Sequence, residues 1–324
     1  MYKRTGDGRS EESCNSSYGG QIPSMVSCLI VALILDMMLL VRILRHRTRR
    51  ADLILIVGFV ISNALLSIAR LIGTEHELSM YELMHADLNA CGVLTRLGCL
   101  SQRPSTWIIV VGSFTVRFTL FLMSVERLVF FISIRSHRWL FTPRKTVFAL
   151  LVGAMLSVLG VLRGLLYAFQ ASEEKISATC HFVDIVGKHY IVICSITLIV
   201  IVAGTLLSYL FVIIILKLRS KNSQGGLYGL RQMREKSVCK GLAFTFFVTL
   251  GMNIAPLVIH MLANLQLVEA SMTILAVLLD HLFLPLSSLL LIITHPRLTV
   301  RLHSFMKCPL ISWANRSNNV VHMG

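Results

Sequence analysis

YIVICSITLIVIVAGTLLSYLFVIIIL, residues 190–216, holds no charged side chain in 27 positions. About 20 apolar residues of α-helix cross the ~30 Å hydrocarbon core of a bilayer, because a helix satisfies its backbone polar groups within its own segment. The stretch therefore reads as a membrane-spanning helix. How many others accompany it decides the fold.

Working back towards the N-terminus, apolar runs of similar length occupy residues 146–169, 106–134, 53–72 and 25–44; towards the C-terminus they occupy 241–262 and 271–293. Hydrophobic residues make up 55% of the 324 positions and charged ones 15%, more apolar than a soluble surface tolerates, so the excess must face lipid. The chain is predicted to be an all-α membrane protein, a seven-transmembrane helix bundle over residues 25–294. A polar tail (1–24) precedes it and a second tail (295–324) follows. Pro143 marks the start of the fourth helix, and Pro256 is expected to kink the sixth. The first run starts late and no small-residue cleavage site follows it, which predicts an uncleaved helix rather than a signal peptide. Beyond the seventh span, Leu298, Leu302, Phe305 and Met306 recur at helical spacing with Arg297, Arg301 and Lys307 elsewhere around the turn, the pattern of a short interfacial helix.

Orientation follows from the basic residues. With the N-terminus outside, the inner connections hold five of them (Arg42 to Arg50), four (Arg135 to Lys145) and seven (Lys217 to Lys240), and the tail holds four. The outer side then holds seven: Lys3, Arg4, Arg9, Arg96, Arg103, Lys175 and Lys188. The positive-inside rule selects this arrangement. It also accounts for the net charge of +15 without nucleic acid as a partner: the charges sit between apolar runs, where anionic cytoplasmic lipid attracts them. Asn15-Ser16-Ser17 is then a glycosylation sequon outside, while Asn315-Arg316-Ser317 lies inside and should stay bare.

Charges inside apolar spans cost several kcal/mol unless paired or wetted, and so mark a functional interior. Arg117 in the third span and Asp280 in the seventh lie at similar depths, roughly 13–17 Å below the outer boundary at 1.5 Å per residue. They are expected to pair, either facing a ligand cavity or locking the bundle. Arg117, Asp280, His281 and Arg163 form the candidate pocket set, although Arg163, like Arg70, lies near an outer end where snorkelling also accounts for it. His260 and His281 suit pocket lining or packed core. Asn253, beside Pro256, is expected to satisfy backbone groups freed by the proline. The eight cysteines show no metal-ligand spacing, no cofactor is implied, and Cys28 and Cys194 read as small buried hydrophobes. His260, His281 and Asp280 are too loose a set for an enzyme.

The third span ends in Met123-Ser124-Val125-Glu126-Arg127-Leu128, an acid beside an arginine at the basic face. Seven spans, an outside N-terminus and this pair resemble the G-protein-coupled receptors. The resemblance implies that Glu126 holds Arg127 at rest and that the freed Arg127 contacts a heterotrimeric G protein, with Arg135 and Arg138 on the rim. The plain alternative is an interfacial ion pair with a snorkelling arginine. No Trp precedes Pro256, the seventh span reads Leu284-Pro285-Leu286-Ser287-Ser288, and Asp36 stands where an asparagine is usual, all of which set the chain apart from the amine, peptide and opsin receptors. With Glu126-Arg127 closing the third span and His295-Pro296-Arg297 following the seventh, the chain is more similar to the nematode serpentine chemoreceptors of the Sra-like group; vertebrate bitter-taste and pheromone receptors share its size and divergence.

That resemblance further implies a disulfide from the start of the third span to the second outer loop. Cys180 is the cysteine of that loop and Cys99 its nearest partner, with Cys91 a second candidate and Cys14 also able to take part. Cys308, closing the interfacial helix, is a candidate palmitoylation site, an unmodified thiol being equally open. The expected function, as the resemblance implies it, is a chemosensory receptor in the cell membrane, with sensory-neuron cilia as the location by analogy, binding an odorant-like small molecule between its helices. The alternative is a transporter or ligand-gated channel whose polar pathway uses Asp36, Arg117, Arg163 and Asp280.

Overall fold

A computed structural model describes residues 22–44, 51–86, 93–170, 172–177, 180, 185–221, 244–264, 267 and 270–294. The tail carrying Asn15, the arginine cluster 45–50, Cys91, the basic loop 222–240, and the segment with the expected interfacial helix, Cys308 and Asn315 lie outside the described residues.

Among the described residues, seven helices are long and apolar enough to cross a membrane: Pro23–Leu44, Ala51–Glu75, Ser105–Ile132, Pro143–Gln170, His189–Leu218, Phe244–Ala263 and Ile274–Ile292. The second helix outruns its apolar stretch and continues to Ala86. The polar residues 74–86 sustain the helix because they contain no glycine or proline, and Glu, Leu and Met are good helix formers. Hydroxyls along the spans turn back onto their own helices, as Thr119 does to the Thr115 carbonyl (2.7 Å) and Thr205 to that of Ile201 (3.0 Å), which settles polar groups that lipid cannot solvate.

The third span lies at the centre, packed on the second, fourth and fifth; the first packs on the second and seventh, and the sixth on the seventh and fifth. Between the second and third spans the backbones close tightly at Gly112, where an added Cβ would sit 2.9 Å from the Leu66 Cβ and 3.1 Å from its Cα. The largest apolar cluster joins the first, second, third and seventh spans around Leu29, Phe59, Leu66, Val116 and Leu284. The second and seventh spans are the most enclosed, 50% and 44% buried over their apolar windows, so they are the spans best able to house charge away from lipid.

One end of the bundle carries a cap. Strands β1 (Val93–Thr95) and β2 (Lys175–Ser177) pair antiparallel, with Leu94 opposite Ile176. A short helix, Arg96–Gln102, starts on Thr95, whose hydroxyl accepts from the Gly98 N–H at 3.1 Å. Cys99 on that helix forms a disulfide with Cys180. Beneath it pack Ile176, Ile185, Val186, Tyr190 and Trp107, and the Tyr190 hydroxyl donates to the Gly160 carbonyl at 2.8 Å. Arg96 is buried in the cap, paired with Glu174 at 2.7 Å and lying over the Tyr167 ring. The other end carries the short helix Ile134–Leu140 and the exposed basic residues Arg135, Arg138, Arg144 and Lys145. Arg135 and Arg138, expected on the rim of the inner face, are found at this basic end.

Candidate functional site

Between the two ends, charges from the second, third and seventh spans converge with a side-chain amide from the sixth. Asp280 of the seventh span receives both arginines: Arg117 Nη2 donates to Oδ1 at 3.0 Å, Arg70 Nη2 donates to Oδ2, and Arg70 Nη1 donates to the Asp280 carbonyl at 3.1 Å. Arg117 also gives Nε–H to Asn253 Oδ1 (2.7 Å) and Nη1–H to the Ser113 carbonyl (3.1 Å). The side chains of Arg70 and Arg117 are 8% and 4% exposed and that of Asp280 19%, so Asp280 is the least covered of the three.

Two expectations need correction here. Arg70 does not snorkel; it is buried and shares Asp280, because the second span turns it towards the seventh rather than along its own axis. Arg163 is not part of the junction. It is exposed, on a part of the fourth helix away from the buried stripe of Gly153, Ser157, Val161, Gly164 and Ala168. His281 is half-buried and its Nδ1 lies 2.7 Å from the Val277 carbonyl, a bond within its own helix.

Asn253 has a role its neighbourhood to Pro256 did not reveal. It lies in a π-helical turn, Leu250–Ile254, immediately before the α-helix that contains Pro256. Rather than satisfying backbone freed by the proline, its side-chain carbonyl is taken by Arg117. A π turn widens the helix by one residue and often sits at functional positions, since it converts locally to α geometry. Arg117 thus bridges the third, sixth and seventh spans.

Further towards the basic end lies a second polar group, entirely buried. Asp36 of the first span accepts from Ser288 Oγ at 2.6 Å and from Asn63 Nδ2 at 2.8 Å, and Asn63 also donates to Ser288 Oγ at 3.1 Å. Asn63 Oδ1 and Ser67 Oγ are buried there without a partner among the described residues. Below it, a pocket is lined by Arg127 and Met123 of the third span, Tyr209 of the fifth, Thr245 and Thr249 of the sixth and Leu291 of the seventh.

Glu126 does not hold Arg127. Its Oε1 lies 2.7 Å from Nε2 of His137 on the short helix Ile134–Leu140, whereas Arg127 turns to the pocket beside Tyr209. Adjacent residues on a helix point about 100° apart, which sends the two side chains to different neighbours. His137 carried no signal in the sequence; it was legible only as one polar residue in a basic loop.

No protein-family model matches the chain, and no curated protein matches its sequence.

Proposed function

We propose that the protein is a chemosensory G-protein-coupled receptor, similar to the nematode serpentine chemoreceptors of the Sra-like group. A small molecule entering from the disulfide end binds at the Arg70–Arg117–Asp280 junction, and a heterotrimeric G protein engages the pocket at the basic end. The observation that carries this reading is the Arg117–Asn253 bond, because it ties the junction to the π turn of the sixth span, and Thr245 and Thr249 of that span line the pocket. A ligand that alters Arg117 alters the restraint on that turn, and a moved sixth span changes the pocket around Arg127. Activation then reflects tighter ligand binding to the opened arrangement than to the closed one.

The proposed orientation puts the Cys99–Cys180 end outside, which suits a disulfide, and the arginine-rich end against the cytoplasmic leaflet. The cell membrane is the proposed location. The test is nucleotide exchange on a purified heterotrimer, with full-length protein in nanodiscs and an odorant panel. Arg127→Glu should abolish ligand-stimulated exchange while leaving expression intact; exchange that survives the reversal overturns the reading. Sugar on Asn315, or an N-terminal epitope hidden on intact cells, overturns the orientation. Uptake or current in proteoliposomes without any G protein would favour the transporter or channel reading, to which the buried Asp36 lends a polar waypoint.

A further inference from the structure

The junction is not electrically balanced. Two guanidiniums meet one carboxylate, and the flanking His260 and His281 can only add positive charge when protonated. Asp36 of the first span, the fully buried carboxylate among the described residues, is occupied by Asn63 and Ser288. Each guanidinium carries five N–H donors in a planar fork. Arg70 commits two of its five, both to Asp280, and Arg117 commits three, to Asp280, Asn253 and Ser113. Half of the donors of two buried arginines therefore lack a protein partner among the described residues. Lipid-embedded charge of this kind is costly until it finds an anion.

We propose that the junction is a binding site for a carboxylate ligand, a small organic acid whose remaining body is apolar. The carboxylate takes unused N–H groups of Arg70 and Arg117 in the two-pronged geometry that suits guanidinium, approaching along Asp280, the most exposed of the three side chains. It brings the site to neutrality. An apolar body suits the spans that surround the junction, which are predominantly apolar apart from Asn253, His260 and His281. This inference rests on the receptor reading only for its consequence, that drawing Arg117 towards the ligand weakens its hold on Asn253; the binding itself stands alone.

The experiment measures thermal unfolding of the purified full-length protein in nanodiscs, by tryptophan fluorescence. The probes are formate, acetate, hexanoate and benzoate, each against its amide. At least one carboxylate should raise the midpoint saturably, with its amide at least about tenfold weaker, since hydrogen bonds to charged groups are the ones lost. Arg70→Gln leaves Arg117 and Asp280 in balance and should erase the preference. Arg70→Lys, which keeps the charge but not the fork, should weaken carboxylate binding about tenfold and serves if the glutamine variant does not fold. Asp280→Ala should be restabilised by acetate and not by acetamide. No carboxylate binding at millimolar concentration, equal binding of acid and amide, or a preference that persists without Arg70 overturns the proposal. Carboxylate binding that never stimulates nucleotide exchange sinks the receptor reading and leaves the anion site. Exchange driven by neutral odorants independently of Arg70 does the reverse.

Discussion

Replacing Asp36 separates a role in hydrogen bonding from a role of its charge. Asp36 is fully buried and accepts two bonds, from Ser288 Oγ at 2.6 Å and Asn63 Nδ2 at 2.8 Å. Asp36→Ala strands one O–H and one N–H in a fully buried site. Bonds to a charged acceptor are worth about 1.5–3 kcal/mol each, and part of that is returned because a buried carboxylate is no longer desolvated. The net loss should be about 3 kcal/mol, or roughly 5–10 °C in the unfolding midpoint. Asp36→Asn is predicted to behave differently. Its oxygen still accepts from Ser288, and its new N–H meets Asn63, whose Oδ1 is buried without a partner and becomes an acceptor once the amide rotates. The rotation also gives up the Asn63 Nδ2 bond to Ser288 Oγ (3.1 Å), so the cost should be about one neutral hydrogen bond, roughly 1–1.5 kcal/mol, well short of that of Asp36→Ala. Tryptophan-fluorescence melts of the detergent-solubilised full-length protein compare the three forms directly. If Asp36→Asn falls as far as Asp36→Ala, the charge itself is required and the hydrogen-bond account is wrong; if Asp36→Ala melts with the wild type, the cluster contributes nothing.

Three other perturbations probe the cap, the packing and the basic end. Cys99→Ser and Cys180→Ser should each lower stability by about 2–4 kcal/mol with the double variant no worse than either, and both thiols should resist maleimide labelling until reductant is added. Gly112→Val forces a side chain against Leu66 where the second and third spans approach closely, and should cost about 1–3 kcal/mol in the same melt, against little change for Gly160→Ala, where a Cβ meets open space. Glu126→Ala removes the partner of His137, so amide exchange across Ile134–Leu140 should quicken while exchange in the fifth span stays constant; equal exchange in both forms would show that the contact does not order the helix.

The pairings that matter join residues far apart in the chain: Arg70 with Asp280 across 210 positions, Arg117 with Asn253 across 136, Asp36 with Ser288 across 252. Depth alone matches Arg117 with Asp280, since a helix rises about 1.5 Å per residue and counting from the span ends places both at one level. The same count placed Arg70 near the outer end, where snorkelling looked sufficient. Only its rotation towards the seventh span shows otherwise. Glu126 and Arg127 were singled out as a pair because they are neighbours, yet His137 takes the acid.

The apolar runs by themselves determined that the protein is helical, that seven helices are long enough to cross a membrane, and about where each begins and ends. Lipid imposes those features segment by segment, through length and the need to satisfy each backbone group locally. Which side of each helix faces its neighbours was left to the tertiary structure. A span that is apolar all round carries little periodic signal to separate its lipid face from its packed face, so the meeting of Arg70, Arg117, Asn253 and Asp280 arises only when close packing, as at Gly112 against Leu66, sets the rotation of one helix on the next.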